Sequence, residues 1–306
     1  MKKFVDICKM TQNEVKSYME EYLTSRNYKV ENKDGFLYAK GDVPVLLVAH
    51  MDTVHKQVPI KIVETDGKIS SPQGIGGDDR CGIFIIMNIV KDLHCSVVLC
   101  EDEEIGGVGA RKFTKSPFIN ELDVNYIVEF DRAHANDAVF YSCDNKDFTD
   151  FITDVTGFKV AQGSFSDISV IAPAAKIAAV NLSCGYYNAH TTSEYVVYDE
   201  MMDTIQAAKA LIETECEKFE YVAKKWPSFW DFSSSKYEKS SNYGQMSINT
   251  LRPSRDLIIE LEAILMIDGC EDVVYGRGNT KAEAWLDLFE NHPDVCFSQV
   301  VDYSFY

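Results

Sequence analysis

The sequence predicts an α/β protein, a three-layer α/β/α sandwich around a central mixed, mostly parallel sheet, with a small C-terminal α/β accessory unit. Three observations predict it. Continuous apolar runs of strand length recur (PVLLVAH, SVVLC, NYIVEF), as in strands covered on both faces. Helix-like stretches alternate with them. Each run ends in polar or acidic residues, as strand ends that carry chemistry do.

Taken in order, residues 11–25 place Val15, Tyr18, Met19, Tyr22 and Leu23 at helical spacing, which predicts an amphipathic helix. YKVE and GFLYAK read as two short strands joined through Asn32-Lys33-Asp34-Gly35, a hairpin turn. PVLLVAH follows as a buried strand and stops at His50. A helix is expected in IFIIMNIVKDL after Gly82, then apolar runs ending in acids at SVVLCEDEE and NYIVEFD. AAKIAAVNL precedes a loop that ends at His190. Residues 198–219 contain strong helix formers with an apolar stripe.

Around Trp226 the composition shifts. KKWPSFWDFSSSKYEKSSNYGQ reads as a linker or wrapping segment, with Trp226, Phe229 and Trp230 as packing residues. Beyond it, SRDLIIELEAILMIDG and TKAEAWLDLFENH read as helices, DVVYGRG and CFSQVVDYSF as strands. The expected division is a large domain over 1–222, then a linker and a small unit over 223–306, near the lower size limit for independent folding.

With 306 residues and 46% hydrophobic content, one large core plus an appendage can form. A net charge of -18 excludes nucleic acid as a partner, because phosphate binding needs clustered Lys and Arg. No run approaches the roughly 18 apolar residues that span a bilayer. MKKFVDICKMTQNE turns polar too soon for a signal-peptide core. The nine cysteines include no CxxC pair, and most stand singly in apolar runs, like Cys95 and Cys100. They read as reduced, packed thiols, so the expected location is the cytoplasm. Any metal must then be held by His and carboxylates.

Such residues gather where the runs end. His50 and Asp52 close the first, Asp78 and Asp79 lie between a glycine-rich turn and a helix, Glu103 and Glu104 follow SVVLC, and Asp131 closes NYIVEFD. The steps from His50 to Asp78, Glu104 and Asp131 are each about 26–28 residues, the length of one strand–helix unit. Four strand ends would bring these groups to one rim. His190 joins from GYYNAHTTSEY. Two imidazoles and three carboxylates are a donor set that zinc accepts in place of cysteine, sufficient for two ions with one carboxylate shared.

The runs VAHMDTVH, GIGGDDRCG, CEDEEIGG, the isolated Asp131 and GYYNAHTTSEY together resemble the five motifs of the co-catalytic di-zinc exopeptidases. That superfamily includes the peptidase T-type tripeptidases, the glutamate carboxypeptidase and acylase group, and bacterial leucyl aminopeptidases. The resemblance covers about residues 40–200 and makes the 1–222 domain the catalytic one. It implies two Zn2+, with Co2+ or Mn2+ as alternatives. His50 and Asp131 would bind one ion, Glu104 and His190 the other, and Asp78 both. Asp52 would orient His50, Glu103 would be the general base, and the Asp78–Asp79 bond would be cis. Only a short segment separates Asp131 from His190, where the carboxypeptidase group inserts a lid, and Arg80 stands where relatives often carry Lys.

The expected activity is removal of the N-terminal residue from short peptides, with a homo-oligomer left open. The alternatives are an amidohydrolase or deacylase of N-acyl amino acids, and a non-catalytic metal-stabilised binding protein. Blander readings stand beside single motifs. His55 is expected at the surface, and His94, His134 and His292 are given no role. Glu129 and Asp137 compete with Asp131 as the ligand. Ser166 and Asp167 in GSFSDIS form either a structural turn or a substrate contact. GIGGDD lacks the GK[ST] ending of a phosphate loop.

Overall fold

The computed structural model describes residues 1–224, 259–267, 270–278, 288 and 300–305. The chain divides into two compact units, Met1–Pro227 and Ser228–Tyr306. The 226–230 aromatic cluster and the helix expected in TKAEAWLDLFENH lie outside the described residues, apart from Leu288, which is helical.

In the first unit, helix α1 spans Lys2–Cys8 and α2 spans Gln12–Thr24. Thr11 caps α2 with a capping box: its hydroxyl accepts from the Glu14 amide at 3.4 Å, and its own amide donates to Glu14 at 2.8 Å. Strands β1 (Val30–Lys33) and β2 (Phe36–Ala39) form the expected hairpin, with Gly35 at φ +90° in its turn. Next come β3 (Val43–His50), β4 (Val63–Thr65), β5 (Lys68–Ser70), α3 (Gly77–Ile89), β6 (Cys95–Cys100) and α4 (Val108–Thr114). They are followed by β7 (Tyr126–Arg132), β8 (Asp137–Val139), α5 (Lys146–Thr156), β9 (Lys159–Ala161) and α6 (Ile168–Ala175). The last are β10 (Ala179–Ser183), β11 (Tyr186–Tyr187), β12 (Tyr195–Val197) and α7 (Tyr198–Glu213).

Eight strands make one sheet in the order β1-β2-β6-β3-β7-β10-β8-β9. β6, β3, β7 and β10 run parallel, and their registers (His50↔Cys100, Val48↔Glu129, Asn181↔Glu129) bring their carboxyl ends to one edge. Side chains alternate between faces along each strand. Val45, Leu47 and Ala49 of β3 pack in one cluster with residues of α1, α2, α3, α5 and α7, and Leu46 and Val48 pack in another with Phe113 of α4 and Ile171 of α6. That double cover is why the runs read as continuously apolar. The architecture is three-layered, with a mixed, mostly parallel centre. A smaller antiparallel sheet, β11-β12-β5-β4, flanks it.

The segment between Asp131 and His190 contributes β8, β9, β10 and α5 and α6 to this body rather than a separate lid. The helix expected over 198–219 stops at Glu213, because the chain then turns to pair beside the sheet: Phe219 N donates to Asn125 O at 2.8 Å, and its carbonyl accepts from Ala178 at 2.9 Å.

In the second unit, β13 (Ile259–Ile267), β14 (Cys270–Gly278) and β15 (Val300–Phe305) form an antiparallel sheet with β13 central. This corrects the helix expected in SRDLIIELEAILMIDG. Leu, Glu, Ala and Met favour helices, but the alternation Ile259-Glu260-Leu261-Glu262-Ala263 has the period of a strand, and pairing on both sides decides the outcome. No helix among the described residues is long and apolar enough to cross a membrane.

Candidate metal centre

Each predicted ligand reaches the sheet's carboxyl edge by its own local route. His50 is the last residue of β3 and is fully buried. Asp131 lies near the end of β7. Glu103 and Glu104 occupy the turn after β6, bent by Asp102 at φ +58°. Asp78 and Asp79 sit at the start of α3 with non-helical dihedrals, after Gly76 at φ +67°, and the Asp78–Asp79 bond is cis. His190 comes from the turn between β11 and β12, at φ +63°.

The structure brings all five together. His50 Nε2 lies 3.0 Å from Asp78 Oδ1 and 3.5 Å from Asp131 Oδ1. His190 Nε2 lies 3.2 Å from Asp78 Oδ2 and 3.1 Å from Glu104 Oε2. Two triads result, His50–Asp78–Asp131 and Asp78–Glu104–His190, whose donor atoms fall within 4.8 Å of one another in each. Asp78 belongs to both, one oxygen toward each imidazole. Glu103 belongs to neither.

A shell of polar groups fixes these residues. Asp52 Oδ1 lies 3.1 Å from His50 Nδ1, and its two oxygens accept from the amides of Glu103 and Glu104 at 3.0 and 3.1 Å. One carboxylate thus sets both an imidazole and the acidic turn. Asp79, fully buried, accepts from the amides of His50 at 3.2 Å and Gly82 at 2.7 Å. Gly82 cannot be replaced without shifting this pair: a Cβ there would lie 2.1 Å from the Phe130 carbonyl and 2.4 Å from Asp79. The Asp131 amide donates to Asn181 Oδ1 at 2.8 Å, and Tyr186 donates its hydroxyl to the Asp131 carboxylate at 3.3 Å.

The competing carboxylates separate by position. Glu129 is buried and belongs to neither triad, with Ser166 donating its hydroxyl to it. Asp137 faces Arg132. Asp167 is buried with neither oxygen hydrogen-bonded, and burial together with Glu103 pushes its carboxyl up to about 8. His94 stacks on Tyr28 and His134 packs edge-on against Tyr187. His292 lies outside the described residues.

One residue that sequence reasoning left without a role is Glu194. Fully buried, it accepts from the amides of Gly76 at 2.8 Å and Asp78 at 3.0 Å, and it meets His55 Nε2 at 2.9 Å. It therefore pins the turn that presents Asp78. The only signal was its place in HTTSEY, four residues after His190. His55, expected at the surface, is tucked against it, its side chain 11% exposed, because a buried carboxylate needs a partner. Arg80 is likewise buried, donating to the carbonyls of Met51 at 2.7 Å and Met10 at 3.1 Å.

The electrostatics follow from crowding acids in a dry place. Burial opposes charge on His50, yet Asp131, Asp52 and Asp78 outweigh it and hold the imidazole well above its usual range. Contacts with Asp78 and Glu104 push His190 up to about 11. Burial would raise Asp78, but His190 and His50 hold it far down. Burial and Asp78 raise Asp131 to about 7; burial with Asp131 and Glu104 raises Glu103 to about 8. So many acids at one buried place need positive charge beside them, from protons or from cations. Oxygen and imidazole donors in two triads, with Glu104 Oε1 buried and unpartnered, suit divalent cations in place of those protons.

No family model matches the sequence, and no curated protein matches it. Solved structures do match. Aminopeptidase PepT from Bacillus cereus superposes with a TM-score of 0.60 at 16% identity, over 69% of this chain and 96% of that one. A tripeptidase from Staphylococcus aureus gives 0.55 at 14% identity, over 69% and 96%. The Pyrococcus horikoshii TET1 peptidase, which can assemble into a tetrahedron or a large octahedral shell, gives 0.52 at 15%, over 69% and 97%. The chain therefore has the fold of these α/β peptidases, and the resemblance read from the five motifs agrees with it.

Proposed function

We propose that this protein is a metal-dependent exopeptidase that removes the N-terminal residue from short peptides. The reading rests on one observation above all: two ligand triads that share Asp78, with Glu103 beside them and outside both. The peptidase fold of the solved relatives supports it. When bound, two divalent cations, zinc in our reading with cobalt or manganese as alternatives, supply Lewis acidity for the attacking water and the carbonyl it attacks.

The chain's own groups do the rest. His50, Asp131, Glu104, His190 and the shared Asp78 hold the cations, and Asp52 fixes the tautomer of His50 through Nδ1. Glu103 takes a proton from water as its oxygen attacks the carbonyl carbon. It delivers that proton to the nitrogen when the C–N bond breaks. The fold shared with the aminopeptidase and tripeptidase structures favours peptides with an unblocked N-terminus over N-acyl amino acids. That β8–β10 complete the sheet where a lid would otherwise be inserted points the same way.

We assign the chemistry to residues 1–222 and place the protein in the cytoplasm, since all seven cysteines of the first unit are free thiols and six are buried. The test is to load the protein with zinc, incubate it with free and N-blocked di- to tetrapeptides, and identify products by mass. Stepwise loss of the first residue from free peptides, abolished by phenanthroline, is expected. Cleavage of blocked substrates alone would replace this reading with the deacylase, and no cleavage of either would leave the binding protein.

A further inference from the structure

Arg80 poses a problem that the metal centre does not solve. It is 3% exposed, and a buried cation needs partners for its charge and for its N–H bonds. Carbonyl oxygens take part of it: Nη1 donates to Met51 at 2.7 Å and to Asp52 at 3.4 Å, and Nη2 to Met10 at 3.1 Å. Nε is buried and has no partner. Asp79, Asp52 and Glu194 act on the guanidinium from a distance, but amides and imidazoles occupy their oxygens. Among the described residues no carboxylate forms an ion pair with it.

The same side chain walls a cavity of about 320 Å³, apolar at Met10, Val58 and Ile75 and basic again at Lys56, which is exposed. None of the five candidate metal ligands lines it, and neither does Glu103. Its walls nevertheless touch what holds them. Asp52, on the wall, meets His50 at 3.1 Å; His55, also on the wall, meets Glu194, which accepts from the Asp78 amide.

We propose that this cavity is a second site, outside the reaction centre, which binds a small organic carboxylate, and that its occupation strengthens metal binding. A carboxylate matches a guanidinium in charge and in planar shape, and the apolar walls suit a short hydrocarbon tail. The volume falls at the small end of ligand sites, which run from roughly 300 to 1,000 Å³. The sign of the coupling is electrostatic. Arg80 lies against the carbonyls of the two residues that follow His50, so its uncompensated charge opposes cations at the centre. An anion beside it cancels that opposition. By linkage, cations and carboxylate then tighten each other by the same factor.

The probe is butyrate, with butyramide as its uncharged counterpart, followed by ligand-observed NMR on the full chain, both zinc-loaded and chelated. Butyrate should bind both forms, the zinc-loaded one severalfold more tightly, and should bind roughly tenfold more tightly than butyramide, as a charged hydrogen-bond partner warrants. Lys56→Met and Gln57→Trp, both at exposed positions on the cavity wall, should each weaken butyrate severalfold. Arg80→Lys should do the same, with its fold checked by circular dichroism. Saturating butyrate should raise zinc affinity severalfold in chelator competition, but not in Gln57→Trp. That variant separates the cavity from direct ligation of the metal by butyrate. Equal binding of butyrate and butyramide, or butyrate binding that neither surface variant alters, overturns the proposal. So does zinc affinity that ignores butyrate or responds equally in Gln57→Trp. Competitive inhibition of peptide turnover by butyrate, lost in Gln57→Trp, would make the cavity part of the substrate path and overturn it too. NMR and chelator competition require no turnover, so their outcome is independent of whether the exopeptidase reading stands.

Discussion

Strand β3 and the rim it ends on obey opposite rules. From Val45 to Ala49 every side chain is apolar and at most 2% exposed, packed against helices on both faces. One residue later the same strand delivers His50 into a space shared with Asp52, Asp78, Asp79, Glu104 and Asp131. The interior is held by attraction among like surfaces. The rim is held by donors that stop like charges from driving it apart. The contrast teaches that the core bears the stability and the rim spends it, so substitutions in each should move different measurements.

The sharpest separation is expected from Glu103→Ala. Removing a general base should lower kcat by about 10²–10⁴-fold. Bound metal, counted by elemental analysis, should stay at the wild-type amount, because Glu103 is in neither triad. Loss of metal in this variant would show the rim to be one inseparable unit. Leu47→Ala is the counterpart in the core. Its side chain is fully buried, so truncation should destabilise the fold by about 2–5 kcal/mol in urea unfolding, with kcat of the folded fraction little changed. A collapse of kcat at full stability would break the comparison.

Asp52→Asn probes the seam between the two regions. The amide keeps one acceptor oxygen for the turn amides but replaces the other with a donor and removes the charge facing His50 Nδ1. A loss of about 10–100-fold in metal affinity is expected, read by competition with a chromogenic chelator. Unchanged affinity would mean that packing alone orients His50.

The same contrast explains what could be read from the sequence. The parallel strands were legible because burial on both faces leaves an unbroken apolar run, and three of the five candidate ligands, His50, Glu104 and Asp131, because each sits at or just past the end of such a run, whereas Asp78 and His190 were read from the glycine-rich turn and the loop that carry them. β13 was not, since its helix-favouring residues are overridden by pairing partners distant in sequence. α5 and α6 and the short strands β8 and β9 carry weaker patterns, and the sequence marks no element there. Glu194 was illegible for another reason: its work is to receive two backbone amides and an imidazole, and backbone donors leave no mark in a sequence. His55 was misplaced with it, because its partner lies far along the chain.

The smallest expected effect is a trend with pH, and it tests whether the rim is strained without cations. Burial, aided in each case by a neighbouring carboxylate, raises Asp131 to about 7 and Glu103 and Asp167 to about 8, while His190, held by Asp78 and Glu104, rises to about 11. A group whose pKa is raised on folding contributes stability that is complete below its unfolded pKa and is lost as pH climbs through its folded one. All four act in the same direction. The metal-free protein should therefore lose thermal stability as pH rises from about 5 to 8, the window set by the three acids. Asp78 and Asp52, both lowered against the cost of burial by their imidazole partners, act in the opposite sense, but only below the ordinary aspartate range. Of these, Asp131 and His190 are candidate ligands and must shed their protons to bind metal, so binding strengthens over the same interval. The gap in Tm between zinc-loaded and chelated protein should widen steadily from pH 5 to 8 in calorimetry. A gap that stays constant or narrows would mean that the carboxylates do not meet the cations, and that the rim is stabilised by its hydrogen bonds alone.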